Sequence, residues 1–280
     1  MVSEMPVRRR YLISQLRRLR ATAGYTQDQV WDAMGWSRDK IQRLEAGKFQ
    51  RLKAADVIAL CQLYGAGEKE TGELVEIARQ SRYHKPWWFQ YTDVLPGAYI
   101  ELEAEATMIQ EFNISLIPGL LQTPDYLAGL MRRSEGITVS SEDLTSRIDM
   151  RLERQKAILE RSSPPPIVSV IDEAALRRMV GGSEVMRQQM RHLCDLGSRP
   201  NIELQVLPFS AGAHSGGGFP FTILGFAGGV GTVVYIETFK DGVYLEDEEE
   251  ITRHRLVFSR MQAAAMSVEE SAVLLEQLSE

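Results

Sequence analysis

The chain has 280 residues, 44% of them hydrophobic and 25% charged, which are proportions that suit a folded globular protein of about two domains. Its first residues contain no apolar run of signal-peptide type, and its most apolar later run, GFAGGVGTVVYI, is too short and too rich in glycine to cross a bilayer. Two cysteines far apart in sequence, Cys61 and Cys194, do not form the pattern of a disulfide framework or a metal site. We therefore expect a cytoplasmic protein without a membrane partner.

The net charge of −6 is unevenly distributed along the chain. Residues 1–53 carry a balance of +7, residues 54–90 a balance of −1, and residues 91–280 a balance of −12. A basic segment at one end can bind phosphate groups while an acidic body serves another purpose. The asymmetry therefore favours a nucleic-acid-binding N-terminal part, with chance drift of surface charge as the competing explanation.

Residues 9–80 show the pattern of five short helices. Leu12, Leu16 and Leu19 recur at helical spacing and form the apolar stripe of the first helix. The segments LKAADVIALCQLYG and EKETGELVEIARQS predict the fourth and fifth helices. The first three helices are separated by residues that cap or end helices. These residues are Gly24, Thr26, Gly35, Ser37 and Gly47. The sequence thus predicts an all-α N-terminal domain over residues 1–80.

Beyond residue 98, helical and strand patterns alternate. YIELEAEATMI predicts a helix, Pro118 and Gly119 predict a turn, and Ser267 with Glu270 predicts a capping box for the last helix. Further helices are expected in TPDYLAGLMRR, SSEDLTSRIDMRLERQKAILERS, AALRRMVG, SEVMRQQMRHLCDLG, ITRHRLVFSRMQAAAM and SVEESAVLLEQL. Strands are expected in PPPIVSVID, NIELQVLPF, FPFTILGFA, TVVYIET and GVYLEDE. Residues 98–280 are therefore predicted to form an α+β domain with a mixed or antiparallel sheet and flanking helices.

Residues 81–97 form a junction rich in aromatic side chains. Trp87, Trp88, Phe89 and Tyr91 are expected to pack where the two domains meet, because clustered aromatic residues usually serve burial. An aromatic ligand cage is the alternative interpretation.

The second and third predicted helices have the layout of a DNA-reading unit, in which one short polar helix is braced by another that crosses it. The outer face of the third helix offers base contacts from Arg38, Asp39, Gln42 and Arg43. Asp39 can accept from a cytosine amino group, or it can orient Arg43 one turn later. Candidate phosphate contacts, which give affinity without sequence information, are Gln27, Ser37, Lys40, Lys48, Arg17, Arg18, Arg51 and Lys53. A small helical bundle used for protein contact is the competing explanation.

The segment TQDQVWDAMGWSRDKIQRLEAGK resembles the helix-turn-helix of the Xre family, also called lambda-repressor-like. This resemblance covers about residues 9–80 and implies a five-helix domain that reads the major groove of double-stranded DNA. By position, Arg38, Asp39 and Arg43 match the base-contacting sites of the family, and Gln27 matches its phosphate-contacting glutamine. Trp31 and Trp36 depart from the smaller aliphatic residues that are usual there.

The remainder of the chain resembles actinobacterial regulators similar to WhiJ. The stretches that carry the resemblance are PWWFQYTDVLPGAYIELEAEA, IPGLLQTPDYLAGLM, RLERQKAIL, VLPFSAGAHSGGGFPFTILGF and VVYIE, in that order. In such proteins an Xre-type head precedes a C-terminal domain of unknown biochemical activity. The resemblance implies a regulator of development or secondary metabolism, and a small partner protein, often encoded nearby, that acts as antagonist or co-regulator.

Neither an enzyme nor a metal or cofactor site is expected. The glycine-rich segment AGAHSGGGF, residues 211–219, precedes a strand-like segment and predicts a loop between two strands, although it contains a His and a Ser. His84, His192 and His254 lack the spacing of metal ligands. The acidic run LEDEEEI, residues 245–251, predicts the solvated first turn of a helix, with a docking patch for a basic partner as the alternative.

These features together predict a sequence-specific transcriptional regulator. A homodimer is expected, with its dimer surface in the second domain, because one short recognition helix reads few base pairs. The second domain is expected to bind a small partner protein. The alternatives are a sensor of a small-molecule ligand and an antitoxin-like protein-binding module.

Overall fold

A computed structural model describes residues 7–46, 52–80, 97–134, 141–227, 231–238 and 242–280. The described residues form two compact units, one within residues 7–80 and the other from residue 97 onward. The predicted aromatic junction and the predicted helix stop at Gly47 lie outside the described residues.

Five helices make up the described part of the N-terminal unit. They are α1 Val7–Thr22, α2 Gln27–Met34, α3 Arg38–Glu45, α4 Ala54–Leu63 and α5 Glu68–Gln80. The core that joins them consists of aliphatic residues that are at most 6% exposed, among them Leu12, Leu16, Leu19, Val30, Ile41, Leu44, Val57, Leu60 and Leu74. The prediction of an all-α N-terminal domain is confirmed.

Local hydrogen bonds define the turn between α2 and α3. The Thr26 hydroxyl accepts from the Gln29 amide, and the Gln29 side chain accepts in return from the Thr26 amide, which completes a capping box. Gly35 ends α2 with a φ of +61°, a left-handed conformation that a side chain would strain. The Ser37 hydroxyl then caps α3 by accepting from the Lys40 amide at 3.2 Å.

The C-terminal unit is built on one six-stranded mixed sheet, so the predicted α+β class is confirmed. The strands are β1 Met108–Asn113, β2 Ile167–Asp172, β3 Ile202–Leu207, β4 Phe221–Gly225, β5 Thr232–Glu237 and β6 Gly242–Leu245. They lie in the order β3-β2-β1-β4-β5-β6. The pairs β1–β2 and β2–β3 are parallel, whereas the pairs β1–β4, β4–β5 and β5–β6 are antiparallel.

Seven helices of the described chain flank this sheet. They are α6 Gly97–Glu105, α7 Pro124–Ser134, α8 Ser141–Leu159, α9 Glu173–Arg177, α10 Ser183–Gly197, α11 Glu248–Ala264 and α12 Val268–Leu278. Helix α11 packs on one face of the sheet, where Ile251, Phe258 and Met261 join the buried Phe112 and Phe221. The opposite face carries the register row Ser169, Glu111, Thr222, Tyr235 and Tyr244, which runs across β2, β1, β4, β5 and β6.

One predicted helix is partly wrong. The stretch YIELEAEATMI was predicted as a helix throughout, but α6 ends at Glu105, and Met108 and Ile109 begin β1. This strand lies in the middle of the sheet and pairs with both β2 and β4. Its sequence, MIQEFN, contains three polar residues and one β-branched residue, so its strand conformation depends on its neighbours more than on its own propensity.

Two smaller predictions about loops and caps are confirmed. Asp247 caps α11, and Glu248, Glu249 and Glu250 occupy the first turn of that helix. These acidic side chains are mostly exposed, and they lie where the helix dipole favours negative charge. The glycine-rich segment 211–219 connects β3 and β4 as a loop, as predicted.

Candidate functional site

Helix α3 separates polar from apolar residues by face. Ile41 and Leu44 are 2% and 4% exposed and pack into the core of the N-terminal unit. The outward side chains, all exposed, are Arg38, Asp39, Gln42 and Arg43. The structure therefore brings the four predicted base-contacting residues together on one surface of one short helix.

Arg38 forms a bidentate ion pair with Asp28 of α2. Its Nε donates to Oδ1 at 2.9 Å and its Nη2 donates to Oδ2 at 2.7 Å, and these hydrogen bonds lower the pKa of Asp28. The two side chains are 64% and 57% exposed, so the pair is of the weak, solvent-screened type. A polar or anionic group that approaches α3 can exchange with Asp28 at little cost.

The other charged residues of α3 also have partners within the unit. Arg43 lies 3.6 Å from the Asp39 carboxylate one turn earlier, which is the arrangement expected if Asp39 orients Arg43. Lys40 donates to Asp56 of α4 at 3.2 Å, and its Nζ lies 3.4 Å from the centroid of the Trp36 ring. Lys40 thus connects the start of α3 to α4.

A buried carboxylate joins the first three helices. Glu45, at the end of α3, is 6% exposed and accepts from Arg20 Nε at 2.6 Å, from Arg20 Nη2 at 3.0 Å and from Gln27 Nε2 at 2.6 Å. Arg17 donates to the backbone carbonyl of the same residue. Arg17 and Arg20 belong to α1, whereas Gln27 begins α2. We call Glu45, Arg17, Arg20 and Gln27 the Glu45 cluster.

The Glu45 cluster was not predicted from the sequence. Glu45 was considered there only as one residue of the segment that resembles the Xre helix-turn-helix. A usable signal was present, because an acidic residue on the inner face of α3 requires a buried cation, and Arg17 and Arg20 share one face of α1. Two predicted phosphate contacts, Gln27 and Arg17, belong to this cluster. Glu45 accepts from the Gln27 side chain at the start of α2 through its carboxylate and from the Arg17 side chain of α1 through its backbone carbonyl.

The remaining predicted phosphate contacts lie in different surroundings. Arg18 donates to Gln15 at 2.8 Å and to Glu70 of α5. The Ser37 hydroxyl is occupied by the cap of α3. Lys53 is exposed at the start of α4. Lys48 and Arg51 lie outside the described residues.

The C-terminal unit contains a cavity of about 430 Å³ next to the sheet. Glu111, Thr222 and Tyr235 of the register row line it from β1, β4 and β5, and Tyr99 of α6 and Arg154 of α8 line it from the helices. Its size falls within the range of small-molecule sites in proteins. Sequence analysis named a sheet-and-helix pocket only as an alternative and assigned no residue to it.

A second buried ion pair, between Arg154 and Glu103, lies beside the cavity, and Arg154 belongs to the cavity lining. Arg154 donates from Nη2 to Oε1 of Glu103 at 2.6 Å and from Nε to Oε2 of the same carboxylate. The Tyr99 hydroxyl donates to Glu103 Oε1 at 3.0 Å, and the Tyr99 ring lies 4.1 Å from that of Tyr235, centroid to centroid. These contacts fix the orientation of the tyrosine rings that face the cavity.

Glu111 is the least compensated charge in this region. It is 5% exposed, and its Oε1 has no hydrogen-bond partner. Burial, followed by the nearby negative charge of Glu103, raises the pKa of Glu111 to about 7, although Ser169, Arg154 and Asn113 act in the opposite direction.

His214 is the histidine of the glycine-rich segment 211–219 that the sequence analysis considered. His214 lies 3.8 Å from the Asp172 carboxylate, and its Nδ1 accepts from the Gly216 amide at 3.2 Å. A side chain at Gly216 would meet Phe112 at 2.6 Å, so this loop is packed closely onto the core. In the same described part of the chain, no three His, Cys, Asp or Glu side chains are grouped to hold a metal ion, and no helix is long and apolar enough to span a membrane.

Replacing Glu45 tests the role of the Glu45 cluster. Glu45→Ala leaves the partly buried Arg20 without its carboxylate, so we expect a loss of about 2–4 kcal/mol in the free energy of unfolding of the N-terminal unit. Native-state amide exchange in α2 and α3 of the full chain measures it. The matched control is Asp39→Ala, which removes an exposed acid from the same helix and should cost less than about 0.5 kcal/mol. Equal effects of the two changes would contradict the assignment.

Glu111 should make the stability of the C-terminal unit depend on pH. Because the folded-state pKa is raised to about 7, stability is highest below the ordinary pKa of a glutamate and falls as the pH rises through 7. Glu111→Gln removes this loss, so the variant should match the original chain at pH 4 and exceed it by about 2–3 kcal/mol at pH 8. Amide exchange in β1 and β4 measures the difference. Parallel pH profiles for the two proteins would show that Glu111 is not the titrating group.

Comparisons with known proteins match both units. A family model described as a helix-turn-helix domain covers residues 12–74, which include α2, α3 and the Glu45 cluster. This match supports a DNA-binding regulator.

A second model, the domain of unknown function DUF5753, covers residues 97–277 and therefore the sheet and the cavity. No curated protein and no solved structure matches the chain. Since the second model spans more than half of the sequence, the chain belongs to the DUF5753 family and carries a helix-turn-helix domain in front of that domain.

Proposed function

We propose that the chain is a cytoplasmic, sequence-specific transcriptional regulator that reads double-stranded DNA with α3. The single observation that carries this proposal is the exposed face of α3, on a capped and braced helix inside the helix-turn-helix match. A recognition helix needs this combination of a rigid inner face and several hydrogen-bonding side chains outside.

Specific roles follow from the chemistry of that face. Arg38 and Arg43 each carry a guanidinium fork that suits guanine, and Gln42 carries an amide that suits adenine. Asp39 holds Arg43 in position through their 3.6 Å contact. Before Arg38 can contact a base, it has to release Asp28, and the exposure of that pair makes the exchange inexpensive.

Phosphate contacts are proposed around this face. Gln27, fixed by Glu45, stands at the N-terminus of α2, where backbone amides and the helix dipole favour an anion. Lys53 adds an exposed cation, and residues 1–53 as a whole carry a balance of +7. This charge supplies affinity that depends on salt and is independent of sequence.

The proposed assembly is a homodimer that contacts paired half-sites and binds a small partner protein through its acidic second domain. The short recognition helix favours a dimer, because α3 has only eight residues and reads few base pairs. The balance of −12 over residues 91–280 favours a basic partner. We also propose that the chain is an Xre-type, WhiJ-like regulator of actinobacterial origin. It is proposed to have no enzymatic activity.

A specific observation favours a second candidate role for the C-terminal domain, which is sensing of a small-molecule effector. The domain holds a cavity of about 430 Å³ with a buried and incompletely hydrogen-bonded carboxyl group in its lining. Binding there would change DNA affinity only to the extent that the ligand favours one state of the chain over another.

Two substitutions test the proposed DNA-reading roles. Arg43→Ala should weaken binding to a selected operator by about 1–3 kcal/mol and leave binding to random duplex almost unchanged, because a base contact is lost. Lys53→Ala should weaken both alike and reduce the slope of log affinity against log salt by about 1, because a phosphate contact is lost. Fluorescence anisotropy at several salt concentrations measures both effects.

The matched control is Arg79→Ala. Arg79 is an exposed arginine of α5 that pairs with Glu76 of the same helix, so its removal leaves α3 unchanged. It should change neither affinity nor selectivity. If Arg43→Ala weakens binding to operator and to random DNA equally, as Lys53→Ala is expected to do, α3 is not the recognition helix.

A further inference from the structure

The cavity of the C-terminal unit is lined by polar side chains of the sheet and by two tyrosines, Tyr99 of α6 and Tyr235 of β5. Glu111 is flanked in register by Ser169 of β2 and Thr222 of β4, and Thr222 is in turn paired with Tyr235 of β5. A row of hydrogen-bonding side chains across the middle of a sheet is unusual, because this position normally holds aliphatic residues. The row therefore requires an explanation beyond packing.

Two buried acceptor oxygens of the described cavity lining lack hydrogen-bond partners. They are Oε1 of Glu111 and Oε1 of Gln122, on side chains that are 5% and 4% exposed. A buried acceptor without a donor costs free energy comparable to a lost hydrogen bond. Because both atoms are acceptors, the molecule that would satisfy them must supply donors.

The charged and aromatic side chains around Glu111 indicate which kind of hydrogen-bond donor the cavity favours. Arg154 already forms a bidentate pair with Glu103 and therefore offsets the charge of Glu111 only in part. Tyr99 and Tyr235 line the same cavity with their ring centroids 4.1 Å apart and their planes tilted by 35°, and aromatic rings favour a neighbouring cation. We propose that this cavity binds a small organic ammonium ion, with its nitrogen on Glu111 and its apolar body beside Tyr99 and Tyr235.

The remaining charged lining residues are compatible with this ligand. Glu237 adds a second carboxylate at the lining, and Arg151 already interacts with other residues of the chain. Aliphatic side chains complete the walls around an apolar body, and they are Ile100, Ile114, Ile117 and Leu130. The volume suits a molecule of roughly drug-like size or smaller.

This inference rests on the second candidate role proposed above, effector sensing, and gives that effector a chemical class. It is independent of the DNA-reading proposal. The test below is made without DNA, so its failure would leave the assignment of α3 untouched, and failure of DNA binding would leave the cavity site untouched.

The test uses three probes that share one phenyl body and differ in charge. These are 2-phenylethylamine, which is cationic, 2-phenylethanol, which is neutral, and phenylacetate, which is anionic. Isothermal titration calorimetry with the full chain at pH 8 should give an affinity for the amine at least about tenfold higher than for the alcohol, since the ion pair is buried. Phenylacetate should not bind.

Variants locate the site. Glu111→Gln keeps the shape of the side chain and should abolish the preference for the amine over the alcohol. Leu130→Trp fills the cavity and should weaken both ligands. Glu203→Gln, an exposed glutamate of β3 outside the cavity lining, should leave all affinities unchanged.

The pH profile gives a further readout. Glu111 becomes ionised across pH 6 to 8, so affinity for the amine should rise about tenfold from pH 6 to 8 and flatten above 8, whereas affinity for the alcohol should not rise. The other charged or titratable groups around the cavity are Tyr99 and Glu103 from α6, Arg151 and Arg154 from α8, and Glu237 from β5.

Three results would overturn the proposal. The first is equal binding of the three probes, and the second is an amine preference that survives Glu111→Gln. The third is the absence of binding by any probe to the full chain, which would indicate a cavity filled by water that satisfies Glu111 and Gln122.

Discussion

The Glu45 carboxylate holds the geometry on which the N-terminal unit depends. It is buried at the end of α3 and accepts from Arg20 of α1 and from Gln27, the first residue of α2, while the backbone carbonyl of Glu45 accepts from Arg17 of α1. A buried charge is tolerated only when it is paired, so these contacts leave α3 few alternative positions. Because the inner face of α3 is fixed in this way, α3 stays helical although its outer face is almost entirely polar. The Arg38–Asp28 and Arg43–Asp39 pairs hold the outer side chains, and in the proposed function DNA replaces the partners of the two arginines.

The C-terminal unit contains two buried glutamates with opposite environments. Glu103 receives both nitrogens of the Arg154 fork and the Tyr99 hydroxyl, so its charge is matched. Glu111 lies on the neighbouring wall without such a partner, and burial raises its pKa to about 7. This contrast within one cavity distinguishes a structural ion pair from a group suited to a ligand. It is the basis of the proposal that the C-terminal domain senses a small molecule.

Much of this organisation could be predicted from the sequence, for reasons visible in particular residues. Helix caps such as Thr26, Ser37 and Ser267 are local signals, and the structure places all three as expected. Strand β1 could not be predicted, because its polar sequence forms a strand only between β2 and β4. The Glu45 cluster and the cavity were missed for a related reason. Each brings together residues that are far apart in sequence, and no local pattern records that Arg20 meets Glu45 or that Arg154 meets Glu103.

The central claim is that α3 reads a DNA sequence, and the most direct measurement is selection of binding sites from a random duplex pool by the full-length protein. The account predicts convergence on one motif, with guanines opposite the arginines of α3 and two half-sites about one helical turn, or a multiple of it, apart. Selection repeated with Arg43→Ala should lose information at one position of each half-site. A pool that stays random after repeated rounds, or that is not retained at all, would contradict the claim and would favour a protein-contacting role for the helix-turn-helix.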